Sequence, residues 1–229
     1  MTKEQLLERY EALGEERDFL SARPLYEEAL AETSDARLLN DFGYLLYCHA
    51  QRELRRAVEL YERAIALEPH YDKPHYQLIV ARASLQELKL SVEMYEERLR
   101  RAQGDVREYR FLASAHEHAH DHEQALSVAE AGLALAADDA ALLATRGEAK
   151  AGLGDVEGAL ADWRRAVELE PDDIGALYSS AFLLERQGRV AAAIDAWRKI
   201  LEWNESRGYT LQAAWPKREL ERLSTYLDE

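Results

Sequence analysis

A period of 34 residues runs through most of this chain and limits what it can fold into. The stretches "AVELYERAIALEP" (57–69) and "ALADWRRAVELEP" (159–171) share one pattern. An alanine is followed four residues later by a large aromatic, Tyr61 or Trp163; Ala64 or Ala166 comes three later, and Pro69 or Pro171 five after that. Steps of 34 from Ser91 land on Ala125, Ala159 and Ala193; backwards, Ala57 lies 34 before Ser91 and Ala22 lies 35 before Ala57. The aromatic recurs as Tyr26, Tyr61, Tyr95, Trp163 and Trp197, with Ala129 the exception. A second series runs Gly43, Ile79, Ala113, Gly147 and Ala181, the last four 34 apart. Gly43 to Ile79 is 36, which predicts two extra residues in a turn around His49–Arg52.

The spacing has a physical reading. Ala57 and Ala64 are seven apart and share one helix face. Small residues there let neighbouring helices approach closely, and the aromatic between them fills the space left by the crossing. Pro69 and Pro171 cannot extend a helix interior and mark the end of a unit. Gly154 suits a helix–helix turn in which a left-handed backbone is cheap only for glycine. Eleven Gly and five Pro are few punctuators for an all-β protein, and Ala, Leu, Glu and Arg are strong helix formers. One such unit cannot bury its own apolar face, so units must stack to make a core.

On these residues the chain resembles the tetratricopeptide repeat (TPR) family, whose unit is a pair of antiparallel helices. The resemblance spans about residues 3–207 and implies an all-α, right-handed solenoid of six units, near 3–35, 36–71, 72–105, 106–139, 140–173 and 174–207. The pattern is thinnest in the third and fourth units, which lack the proline and carry Arg98 at an expected small position. Residues 209–227 fit a terminal capping helix with an apolar stripe of Leu220, Leu223 and Leu227; Pro216 either kinks this helix or starts it. The whole chain, 1–229, is expected to be one solenoid domain.

Composition and motifs exclude several functions. The net charge of −15 leaves no basic footprint for nucleic acid and disfavours an anionic membrane surface. Cys48 is the single cysteine, so neither an internal disulfide nor a Cys-rich zinc site can form. The first residues lack the apolar core of a signal peptide, and no apolar run is long enough for a membrane span, so a cytoplasmic location is expected. There is no P-loop, GxSxG, HExxH or Rossmann glycine pattern, and "GLGDVEG" (152–158) coincides with a repeat turn and lacks phosphate-binding spacing. The expectation is a non-catalytic protein without a cofactor.

The resemblance implies that the first helices of the units line a concave face that takes a peptide or a partner protein. Projected in register, that face carries Asn40, Tyr44 and Tyr47, then Lys73, Tyr76 and Val80, then Arg107, Arg110 and Ser114. It continues through Ala144 and Glu148 to Tyr178, Phe182 and Glu185. Tyr and Arg are enriched at binding hot spots, and Arg holds a carboxylate through two parallel hydrogen bonds. An acidic group or a C-terminal carboxylate of the partner is therefore expected near Arg107 and Arg110. Asn40, Lys73, Arg107 and Arg110 resemble the residue inventory with which some family members grip a terminal carboxylate, but not its register.

One segment stands apart: "HEHAHDH" places His116, His118, His120 and His122 within seven residues. Stepping 34 back from Gly154 lands on His120, so the segment is a helix end and its turn. His116 and His120 are four apart and could share a face as metal ligands, yet the helix should end between them. A metal- or pH-responsive regulator built on these imidazoles is the alternative to a peptide-binding scaffold. Self-association is a further reading, with Trp203 and Trp215 as a terminal patch or as cover for the last unit.

Overall fold

A computed structural model describes residues 5, 8, 9, 19–32, 36–102, 104–172 and 174–225; inside its helices, the side chains of residues 19–21, 32, 36–41, 43, 44, 47, 48, 210 and 211 lie outside the description. The described residues form eleven helices and no strand. The chain divides into two compact units, Met1–His70 and Tyr71–Glu229.

The first unit holds α1 (Phe19–Glu32) and α2 (Ala36–Leu67). They meet through the Tyr26 and Phe42 rings, stacked at 5.4 Å, with Ala22 and Ala29 fully buried. The expected turn at His49–Arg52 is absent: α2 runs through it as one helix of 32 residues. The cause is local. Between Gly43 and Pro69 there is no Gly, Pro, Asn or Asp, only residues that extend a helix readily.

The second unit is a run of antiparallel pairs. These are α3 (Asp72–Ser84) with α4 (Leu88–Arg101), α5 (Val106–His118) with α6 (His122–Leu135), α7 (Ala140–Leu153) with α8 (Val156–Leu169), and α9 (Gly175–Arg186) with α10 (Val190–Ser206). A final helix, α11 (Thr210–Ser224), closes it. Each helix packs on the next, and the first helices α3, α5, α7 and α9 also pack side by side. The expected unit starts at Asp72, Val106 and Ala140 are the first residues of their helices, and Ile174 caps α9.

Two devices shape the pairs, the first in all four and the second in α5–α8. At the turn, Gln86, His120, Gly154 and Gly188, each 34 from the next, have positive φ (61°, 58°, 89° and 69°). In each, the following N–H reaches back five residues, from Glu87 to Arg82, Asp121 to His116, Asp155 to Lys150 and Arg189 to Leu184, at 2.8–3.0 Å. This bond satisfies a carbonyl that the helix end would leave unpaired. At the helix starts, Asp105, Asp121, Asp139 and Asp155 accept a backbone N–H with their side chains. Part of the negative charge is thus used to cap the positive ends of helices.

The small and aromatic series pack as their spacing requires. Trp163 lies so close over Gly147 that a Cβ there would sit 2.5 Å from the indole nitrogen, which donates to the Ala144 carbonyl at 3.1 Å. Arg98, at a place where a small residue was expected, forms a two-pronged bond to buried Glu108 at 2.7 and 2.8 Å, joining α4 to α5. Asp162 similarly holds Arg146 (2.6 and 2.8 Å) and Lys150 (2.8 Å) across α7 and α8. At the end of the unit Leu220 and Leu223 of α11 cover the core around Trp197, and Pro216 lies inside α11 and does not begin it. Leu227 lies outside the described residues.

Candidate functional site

The candidate face is the one offered by α3, α5, α7 and α9 in the second unit. Asn40, Tyr44 and Tyr47 belong to α2 in the first unit, and their side chains lie outside the described residues. Lys73 is exposed in the first turn of α3. Tyr76 is largely buried, with its ring edge-on to Phe111 at 5.3 Å. Burial pushes its phenol well above the ordinary value, partly countered by Arg110, so it stays neutral. Phe111 also stacks on fully buried His75 at 4.2 Å, whose Nδ1 lies 3.2 Å from the Tyr95 hydroxyl.

The two arginines expected to await an acidic partner are already engaged. Arg107 bonds to Asp105 at 2.8 and 3.2 Å. Arg110 bonds to Asp139 at 2.6 and 2.7 Å and to Asp72 at 3.3 Å. Asp139 is itself buried and caps α7 through the Leu142 N–H. Arg110 therefore ties α3, α5 and α7 together. Register would have revealed this only to a reader who asked what stands beside each capping aspartate, because Arg110 and Asp139 are 29 residues apart. Ser114 is also buried, and its carbonyl accepts a hydrogen bond from His118 Nδ1 at 2.9 Å.

Tyr178 and Phe182, on α9, meet an aromatic from the capping helix. Trp215 stacks on Tyr178 at 5.5 Å and lies 5.6 Å from Phe182, while Trp197 supports all three from below at 5.3–5.8 Å. Phe182 nonetheless keeps 47% of its surface exposed. Trp203 is used within the fold as well: its Nε1 donates to the Pro171 carbonyl at 3.2 Å, and Arg207 lies 4.3 Å over its ring.

Between α7 and α9 a cleft of about 430 Å³ opens, walled by Glu117, His120, His122, Glu148, Phe182 and Arg186. The His122 ring lies across Gly152, where any Cβ would come within 2.5 Å of it, and its Nδ1 meets Glu117 at 3.0 Å. Glu148 accepts a hydrogen bond from the Ser179 hydroxyl. Burial raises the Glu148 carboxyl above the usual range; Ser179 pulls it back, and the nearby Glu117 charge raises it further. Glu148 was legible as the in-register successor of Ser114. Ser179 and Arg186 were not singled out, and Gly152 was read only as part of a repeat turn, because their role depends on how α7 and α9 pack.

The four histidines of 116–122 diverge. His116 is buried, and desolvation lowers its pKa although Asp121 lies 3.7 Å away. His118 turns back to Ser114, His120 occupies the left-handed turn position, and His122 faces Glu117. Among the described residues no group of three or more His, Cys, Asp or Glu is arranged to hold a metal ion. Nor is any described helix long and apolar enough to cross a membrane.

No family model and no curated protein matches the sequence. Solved structures do resemble the fold. A thermophilic TPR protein of Thermus thermophilus is 23% identical, with a TM-score of 0.58 over 75% of this chain and 94% of that one. MamA of Desulfovibrio magneticus RS-1 is 24% identical, with a TM-score of 0.50 over 71% of this chain and 95% of that one. With the helix pairs, the 34-residue turn spacing and the buried small–aromatic series, these likenesses show that the chain has the tetratricopeptide-repeat fold.

Proposed function

We propose that the second unit is a non-catalytic interaction module, a scaffold or adaptor that holds a peptide or partner protein against α5, α7 and α9. The observation that carries this reading is the cleft between α7 and α9, where half-exposed Phe182 stands beside Glu117 and Glu148. An apolar anchor next to a few fixed polar groups is the usual make-up of a recognition site. An acidic partner group would have to displace Asp105 from Arg107 and would find Arg110 taken by Asp139 and Asp72. A partner segment with an aromatic or aliphatic anchor and a basic group suits the cleft better, since its charge would meet Glu148 and, in competition with His122, Glu117.

The test is selection of displayed peptides on the intact chain, with affinities measured by fluorescence anisotropy. Phe182→Ala should weaken selected peptides at least about tenfold, the scale of a single hot-spot anchor. Glu148→Gln should weaken those with a basic residue most. Peptides that bind both variants as tightly as the parent would remove the cleft as the site.

A further inference from the structure

In the second unit, each first-helix position of the small series meets a second-helix partner sixteen residues later. Ile79 and Tyr95 share one core cluster, as do Ala113 and Ala129, and Ala181 and Trp197; Gly147 receives the Trp163 ring. The corresponding pair in α2 is Gly43 and Tyr61. On an unbroken helix they are eighteen residues apart, roughly 27 Å at 1.5 Å per residue, and cannot touch.

The exposure of α2 agrees. Ser91, Ala125, Ala159 and Ala193 are fully buried, as is Ala22 in α1, while their in-register counterpart Ala57 is only half-buried, and so are Tyr61 and Ala64. Leu60 and Leu67 are 53% and 82% exposed. The second half of α2 thus carries a face built for burial without being buried to the degree its counterparts are.

The two extra residues set the phase of this face. Eighteen residues make about five turns of 3.6, so Gly43 and Tyr61 lie on the same side of the continuous helix. At the sixteen-residue spacing of the other units they would lie on nearly opposite sides. Between them runs an unbroken seam in steps of four and three: Gly43, Tyr47, Ala50, Leu54, Ala57, Tyr61 and Ala64. Small residues recur every seven places and larger ones lie between, the spacing of a helix that packs along another helix. The seam reads nearly the same from either end about Leu54. It therefore complements itself when two α2 helices lie antiparallel about a two-fold axis near that residue.

We propose that α2 is a dimerisation helix: a second copy of this chain lays its own α2 antiparallel along the Gly43–Ala64 seam, supplying in trans the contacts that a folded-back pair would make in cis. The insertion that sequence spacing assigns to a turn keeps the seam in phase on a straight helix. The interface is isologous, so both copies bury the same face at once.

Three measurements on the full chain test this. Sedimentation should give a dimer. Deleting Gln51 and Arg52, which restores the 34-residue spacing and breaks the phase of the seam, should give a monomer whose α3–α11 retain their helicity by circular dichroism. With Cys48 replaced by Ala, a single cysteine can form a disulfide only with another copy. Leu54→Cys, beside the axis, should cross-link readily, and Arg56→Cys, on the far side of the helix, should not. A parent chain that stays monomeric across the concentration series, a dimer that survives the deletion, or equal cross-linking at 54 and 56 would overturn the proposal.

Discussion

Residues 36–67 and 140–169 carry the same repeat pattern, yet one stays straight and the other bends. The difference is confined to a few residues at the turn. In the second stretch Gly154 takes φ 89°, Asp155 caps the following helix, and Trp163 folds back onto Gly147. In the first, Ala50 stands in the turn position and two further residues separate the halves. Repeat identity is thus set by residues that pack, while the choice between a pair of helices and one long helix is set by the few that allow the chain to reverse.

The largest expected effect tests that contrast at its aromatic positions. Trp163→Ala should cost about 3–5 kcal/mol in urea denaturation, because a fully buried indole leaves a cavity. Tyr61→Ala, on half-exposed α2, should cost about 1–2 kcal/mol at low protein concentration. Equal losses would show that the two aromatics occupy equivalent surroundings and would erase the distinction.

A second comparison concerns charge. Burial alone would raise the Asp162 carboxyl, but hydrogen bonds from Arg146 and Lys150 outweigh it and hold it below its ordinary 3.8. A depressed carboxylate stabilises the fold above its unfolded value and loses that contribution as pH falls through the lower folded one. Asp162→Ala should therefore cost about 3 kcal/mol at neutral pH, and the gap to the parent should shrink as the pH drops below about 4. A gap that stays constant to pH 2 would mean that the carboxylate charge contributes nothing. The second half of α2 holds no comparably buried carboxylate among its described residues.

The smallest effect is the most diagnostic, since one substitution type should change sign between the regions. His120→Gly should stabilise by about 1 kcal/mol, because a non-glycine residue is held at φ 58°. Ala50→Gly should destabilise by about 0.5–1 kcal/mol, because it weakens a helix interior. Stabilisation by both would indicate that α2 gains from bending.

Much of the second unit was legible before any coordinates. The repeat register put the starts of α3, α5, α7 and α9 within a residue, and the step from Gly154 placed His120 in a turn. These features are local: helix periodicity and turn geometry follow from the nearest few residues. The candidate site was legible only in outline. Register put Arg107, Arg110, Ser114, Tyr178 and Phe182 on the proper helices, but not the partners that engage them. Asp139 and Asp72 reach Arg110 from 29 and 38 residues away, and Trp215 reaches Tyr178 from 37. Such pairings depend on which helix ends lie side by side.

By itself, then, the sequence determined an all-helical fold, the length of its repeat, and the small–aromatic series buried in the second unit, since each follows from side-chain size and polarity recurring at helical spacing. Only the tertiary structure decided that α2 does not fold back, that Arg107 and Arg110 are engaged by neighbouring carboxylates, and that a cleft beside Glu148 is left open. The physical reason is that a charge or an apolar face is satisfied by whatever lies nearest in space. Nearness across tens of residues is created by packing and is not written at any one position.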